Sequence, residues 1–313
     1  MNKYHSFYAI LVGMGLLFFA CRKDKLSDIP LSHFDIEVDS LLFQTTENHI
    51  LYSIPILEDI NIGCYFDFMD TLVAKYDSLT PYPMSEHLIV RNNPWIIDTF
   101  ENTDYYRLIK QGLFNYNNRE LVILKMGDTL HLPDWICAEE IFEKFNQTTI
   151  DLNIPEFKLR VLEDNDTIYT FPVRVGRKER KYLKMAGHEV ELETKPGVGK
   201  IYRIKRDPSF INPSDGEYFS HTKRDDGKTT MMPLTPWIEP ELNGHRYGHL
   251  IHPTTNPKTL GKAYSNGCVG VRESDIWRIY YYAPVGTKVT FRYDLEVLND
   301  EGDTIQLKDI YGE

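Results

Sequence analysis

The sequence predicts a mainly β domain, a closed or sandwich-like sheet carrying one or two short helices, preceded by a smaller α+β segment. Three observations point there. From Thr148 onward, short runs rich in β-branched and aromatic residues recur between polar turns, and helical text is sparse. Before Thr148 the text is acidic and aromatic, with helical periodicity mixed with irregular stretches. The charge divides at about the same place. Residues 151–293 hold 23 basic and 18 acidic side chains, a net of +5, and the remainder carries −16, giving the total of −11. At 313 residues, 42% hydrophobic and 26% charged, the composition is globular and the length suits about two domains. The acidic total excludes a sequence-independent nucleic-acid binder, which needs a basic surface.

Taken in order, residues 1–20 read as an address. Lys3 precedes an apolar run from Phe7 to Phe19, too short for a comfortable membrane span but of signal-peptide length. Ala20-Cys21 at its end resembles the bacterial lipoprotein signal, in which the Cys is lipidated, although Phe18 stands where Leu is usual. An uncleaved anchor is the alternative. Both readings place the protein outside the cytoplasm, in the cell envelope and facing the periplasm. With Cys21 lipidated, Cys64, Cys137 and Cys268 remain, an odd number, so a free thiol is expected; pairing of Cys64 with Cys137 stays open.

Residues 21–147 read as an acidic accessory domain. Helices are expected at Phe66 to Asp77, Asp98 to Leu113 (closed by Gly112) and Ala138 to Phe145. The run LVILKMGDTLHLP, Leu121 to Pro133, suggests a hairpin. Residues 148–293 form the predicted β domain. Strands are expected at Thr149 to Asn153, Glu156 to Leu162, Thr167 to Val175, Glu189 to Glu193, Lys200 to Ile204, Tyr247 to His252 and Thr287 to Tyr293. A helix from Ser274 to Tyr282 has Ser274 as its expected N-cap and Pro284 beyond its end. Residues 294–313 are an acidic tail.

The chemistry concentrates in HPTTNPKTLGKAYSNGCVGVRESD. Cys268 follows the tight-turn text Ser265-Asn266-Gly267 and has Lys262 and Arg272 nearby, a setting that favours the nucleophilic thiolate. His252, separated from Cys268 by fifteen residues, is the available base, because a Cys–His pair needs apposition only in the fold. Gly267 lets the backbone approach a substrate, so the N–H groups of Gly267 and Cys268 are placed for an oxyanion hole. A structural cysteine is the bland alternative on composition alone.

His252 through Asp275 resembles the L,D-transpeptidase catalytic domain family of the YkuD or ErfK/YbiS/YcfS/YnhG type. That family's signature is a His, fourteen to seventeen residues, then Ser/Thr-His-Gly-Cys. His252 and Ser265-Asn266-Gly267-Cys268 resemble it in order, with twelve residues between His252 and Ser265 and fifteen between His252 and Cys268. Ile251 to Pro257 is similar to I-H-G-T-x-N-P, Phe171 to Gly176 to F-P-V-S-V-G, and Thr194 to Gly197 to T-P-x-G. Ala283 to Thr287 resembles V-P-x-G-T, and the resemblance spans residues 151–293.

The resemblance implies a peptidoglycan enzyme. Cys268 attacks a tetrapeptide stem at diaminopimelate and expels D-Ala. The thioester then passes to an amine, giving a 3→3 cross-link or protein attachment, or to water as an L,D-carboxypeptidase. His252 keeps the thiol ionised and protonates the leaving amine, a backbone carbonyl of Pro253 fixes its tautomer, and neither metal nor cofactor is needed. Three departures stand out: Asn266 for the usual His, Pro253 for Gly, and Gly270 where the family commonly has a substrate-holding Arg. Arg272 is the substitute the sequence offers. Met232 and Trp237, in the insertion from Pro208 to Pro240, are substrate-facing candidates, as are Tyr247 and His249. The implied partners are peptidoglycan stem peptides and, through Cys21, a membrane.

Two rivals remain. His245, His249 and His252 lie close in sequence, but Gly244 and Gly248 oppose a helix, and a strand sends His252 to the opposite face. Zinc ligation is therefore disfavoured. A lipid-anchored peptidoglycan-binding protein on a decayed transpeptidase fold is the non-enzymatic alternative, motivated by Asn266 and Gly270.

Overall fold

The computed structural model describes residues 49–299 and 301–312. The expectations for residues 1–20 and Cys21 lie outside the described residues. Residues 47–313 form one compact unit.

Helix α1, Ile62–Tyr76, begins where the Asn61 side chain accepts from Cys64 N–H at 3.1 Å, and it buries Ile62, Tyr65, Phe66, Met69 and Leu72. Helix α2 spans Glu86–Asn92 with Ser85 as N-cap. The single helix expected over 98–113 is two helices, α3 (Trp95–Asn102) and α4 (Tyr105–Lys110). The break has a physical cause: the Asp104 carboxylate accepts from the N–H groups of Tyr106 and Arg107, which restarts the helix in a new direction. The expected hairpin over 121–133 is also corrected. Val122–Leu124 pairs with Ile60–Asn61, while Thr129–Pro133 pairs with Ile50–Pro55, so each run finds a partner earlier in the chain. Helix α5, Trp135–Gln147, follows an Asp134 cap.

The sheet is built from β1 (Thr149–Asn153), β2 (Lys158–Glu163), β3 (Asp166–Pro172), β4 (Gly197–Lys205), β5 (Trp237–Leu242), β6 (Ile251–Pro253), β7 (Val269–Val271) and β8 (Lys288–Arg292). Helix α6, Glu273–Tyr282, lies between the last two. Alternation buries Ile150 and Leu152 in β1 and Leu159 and Val161 in β2. Asp164 and Asn165 turn β2 into β3 at φ of 50° and 68°, the left-handed pair that a tight hairpin requires. The strand order is β7-β6-β5-β4-β8-β1-β2-β3. Pairs β6–β7 and β1–β8 are parallel and the others antiparallel. Just beyond β3, Arg174 and Gly270 exchange two backbone hydrogen bonds of 2.9 Å. That bridge joins the two edge strands and nearly closes the sheet, giving the mainly β architecture with few helices that the sequence predicts. The expected strand at 247–252 is shorter than its text, starting only at Ile251.

Residues on both sides of position 147 share one hydrophobic core. The Phe100 and Trp277 rings stack at 3.8 Å, and the buried Glu86 carboxylate accepts from the hydroxyls of Tyr280 and Tyr281 at 3.0 and 2.8 Å. Ser274 is not the α6 cap; Arg272 holds that position without a side-chain bond. The Ser274 N–H instead donates to Asp104 Oδ2 at 3.0 Å, so one carboxylate serves the starts of α4 and α6 together. Buried Arg224 pairs with Glu273 and fixes the same junction. Cys137 and Cys268 are free thiols, so Cys64 and Cys137 do not pair.

Candidate active site

Strands β6 and β7 run parallel, with Ile251 opposite Val269 and His252 opposite Gly270. Cys268 is two residues before Gly270, so its side chain leaves the sheet on the same face as His252. Gly267, at φ +107°, makes the turn that delivers Cys268 to the start of β7.

The imidazole of His252 is held from one side: Nδ1 lies 2.9 Å from the carbonyl oxygen of Pro253. As an acceptor this oxygen selects the Nδ1–H tautomer and leaves Nε2 as the base. The Trp237 ring packs 5.1 Å from the imidazole. Burial pushes the His252 pKa down to about 4, with the Arg174 charge adding to the fall and the Pro253 bond opposing it. Cys268 is partly exposed at the surface of the face, and its thiol lies 3.8 Å from the Gly248 carbonyl. Desolvation pushes its pKa up, against the Leu250 N–H and the Arg174 charge. Both shifts favour the neutral forms and run against the expectation that His252 keeps the thiol ionised at rest.

The turn is braced from beneath. Ser265 is buried; its hydroxyl donates to the Cys268 carbonyl at 2.5 Å and accepts from Gly267 N–H at 3.2 Å. The Gly267 N–H, expected to face a substrate oxygen, is thus already engaged. Asn266 is half-buried within the turn. Thr194 Oγ1 donates to the Gly267 carbonyl at 2.9 Å and accepts from Gly176 N–H at 2.8 Å. Tyr311, in the acidic tail, closes the strap: its hydroxyl donates to the Gly176 carbonyl at 2.7 Å and accepts from Thr194 N–H at 3.0 Å. Tyr311→Phe is expected to cost about 1–2 kcal/mol of stability by freeing these partners, measured as a lowered urea midpoint at unchanged slope.

The other sequence candidates fall into two groups. His249 is buried, 8% exposed, and presses against the turn: a Cβ at Gly267 would come within 2.9 Å of its ring. Its Nδ1 accepts from Lys195 N–H at 3.3 Å, and burial lowers its pKa to about 4. Tyr247 stacks on it at 5.6 Å from the exposed side. Met232 is half-buried, its N–H donating to the Ser220 carbonyl at 2.7 Å. Arg272 belongs elsewhere. It lines a cleft of about 230 Å³ with Asp104, Tyr106, Thr254 and Pro257, and neither Cys268 nor His252 borders that cleft. The cation within electrostatic reach of both is Arg174. Sequence reasoning missed it, although its signal was visible as an Arg inside text similar to F-P-V-S-V-G.

Residues 147–291 match the family model for the L,D-transpeptidase catalytic domain, YkuD. The chain is 25% identical over 244 residues to "Probable L,D-transpeptidase ErfK/SrfK" of Escherichia coli (strain K12), covering 74% of this chain and 73% of that protein. It is 27% identical over 127 residues to the YkuD protein of Bacillus subtilis (strain 168), covering 41% of this chain and 55% of the relative. The chain thus spans just over half the length of that relative. Among solved structures, an L,D-transpeptidase from Mycobacterium smegmatis aligns at TM-score 0.34 and 13% identity over 47% of this chain and 58% of that one. One from Xylanimonas cellulosilytica DSM 15894 aligns at the same score and identity over 76% and 97%. The family match at residues 147–291 thus lies across both His252 and Cys268, and the chain is similar there to the YkuD-type L,D-transpeptidase catalytic domain.

Proposed function

We propose that this protein is a peptidoglycan L,D-transpeptidase that uses Cys268 as its nucleophile. The observation that carries the reading is the placement of Cys268 and His252 on one face of β6 and β7, with His252 Nδ1 tied to the Pro253 carbonyl. The donor is a tetrapeptide stem bound with its diaminopimelate carbonyl over the thiol. His252 Nε2 accepts the Cys268 proton as sulfur attacks that carbonyl carbon. The Cys268 N–H at the turn donates to the developing oxyanion, since Gly267 N–H is taken by Ser265. The protonated imidazole then gives its proton to the leaving D-Ala amine as the C–N bond breaks. An amine or water attacks the thioester and restores the thiol. Because both shifts favour neutral groups, the attack proceeds once bound substrate aligns the pair.

The lipoprotein-like text ending at Cys21 supports an exported, lipid-anchored protein in the cell envelope, where peptidoglycan stems are found. The decisive assay incubates the protein with muropeptides bearing tetrapeptide stems and follows D-Ala release and thioester formation by mass spectrometry. Release, with an acyl or carbapenem adduct on Cys268, is expected. Binding to peptidoglycan with neither would favour the non-catalytic reading.

A further inference from the structure

Gly270 sits directly opposite His252 in the β6–β7 pair, so no side chain occupies that position on the catalytic face. The space is filled from the neighbouring segment. A Cβ at Gly270 would lie 2.5 Å from Arg174 Nε and 2.7 Å from its Cγ. The Arg174 side chain therefore lies across Gly270, next to His252 and within electrostatic reach of Cys268. The backbone bridge between the same two residues fixes this placement.

What the guanidinium lacks, among the described residues, is an anionic hydrogen-bond partner. Its Nε is buried without a hydrogen-bond acceptor among the described residues. The side-chain bond it makes there is a long 3.4 Å contact from Nη1 to Thr259 Oγ1. Asp225, the carboxylate within electrostatic reach, is occupied at 2.8 Å by the Lys258 N–H. Arg174 is nonetheless only half-buried, so part of its side chain is open to solvent. A guanidinium cannot relieve such a position by losing its proton, and its fork matches a carboxylate. The open group beside the nucleophile is therefore built for an incoming anion.

The side on which it lies identifies the anion. His252 delivers the proton to the leaving amine, so a cation beside His252 rather than beyond Cys268 stands over the leaving residue. We propose that Arg174 binds the free carboxylate of the terminal residue expelled from the acyl donor, making a carboxylate immediately after the scissile amide the specificity determinant. This rests on the acyl-transfer reading above. It gives the residue that fills the space over Gly270 a place in the donor site and leaves Arg272 outside it.

The test compares two donors, the tetrapeptide-stem muropeptide ending in D-Ala and the same muropeptide ending in D-Ala amide, with wild type, Arg174→Ala and Arg174→Lys. Wild type is expected to favour the free acid by roughly 10–100-fold in kcat/KM, expressed mainly in KM. In Arg174→Ala the ratio should collapse toward one, and Arg174→Lys should keep a reduced preference. A merely structural role would slow both donors equally and leave the ratio intact, which would overturn the proposal. A wild-type enzyme that turns over both donors equally would overturn it too. A wild type that releases D-Ala from neither would bring down the acyl-transfer reading and this inference with it.

Discussion

Replacement of Cys268 by alanine is expected to abolish D-Ala release, with kcat falling by about 10⁴-fold or more and substrate binding retained. Acyl transfer without the thiol leaves only water as nucleophile. The fold should survive the change. Cys268 is partly exposed, and the turn that carries it is held by Gly267, Ser265 and Thr194 through bonds that do not use the thiol. The check has two arms: turnover of tetrapeptide muropeptides, and intact-protein mass after carbapenem exposure. The variant should show neither turnover nor adduct while keeping the wild-type urea midpoint to within about 0.5 kcal/mol. Full activity in Cys268→Ala would dismiss thiol catalysis. His252→Gln is expected to lose about 10²–10⁴-fold, the usual worth of a positioned base, with little change in KM. The ordering of the two losses matters, because a thiol of raised pKa retains some attack through its small ionised fraction when the base is gone.

The β domain was legible because its signals are local. Alternation in 149–153 and 158–163 and the polar turn at 164–165 each specify one strand or one hairpin, and the observed register follows them. The candidate pair Cys268 and His252 was picked out by its resemblance to the family signature, and strand pairing sets His252 opposite Gly270, two residues beyond Cys268. What escaped depended on partners distant in sequence. The runs 122–124 and 129–133 have a hairpin's composition, yet each is claimed by an earlier strand. Periodicity carries through 98–113, but the Asp104 carboxylate satisfies two donors at a helix start and a third from α6, which outweighs one more helical turn. Arg174 escaped for the same reason. Its meaning lies in Gly270, 96 residues away, whose missing side chain makes the room it occupies. Arg272 is near Cys268 in sequence, but it opens a helix whose start faces another cleft. Sequence proximity was the misleading cue there.

Acid is expected to destabilise the fold through buried neutral histidines, and His87 is where the effect can be isolated. Its Nε2 is buried without a partner among the described residues, its ring packs 4.7 Å from Tyr280, and burial lowers its pKa to about 4. His249 and His252 are held at about 4 as well. Near pH 6.5 the unfolded chain begins to take up these protons while the folded chain refuses them until about pH 4. Unfolding therefore binds protons throughout that window, and stability falls as pH falls. A shift from 6.5 to about 4 is worth on the order of 3 kcal/mol for one fully buried histidine once the window is crossed. The wild-type slope alone does not isolate this, because burial raises the carboxyls of Glu86, Glu273 and Asp275, whose folded forms take up protons first and push stability the other way. The difference between wild type and His87→Phe does isolate it, since the variant keeps an aromatic ring and removes the titrating group. Urea unfolding at pH 7.5 and pH 5 should show a smaller loss in the variant, by about 2 kcal/mol, with equal slopes against denaturant. Equal losses in the two proteins would mean that the ring takes up its proton in the fold as readily as in the unfolded chain.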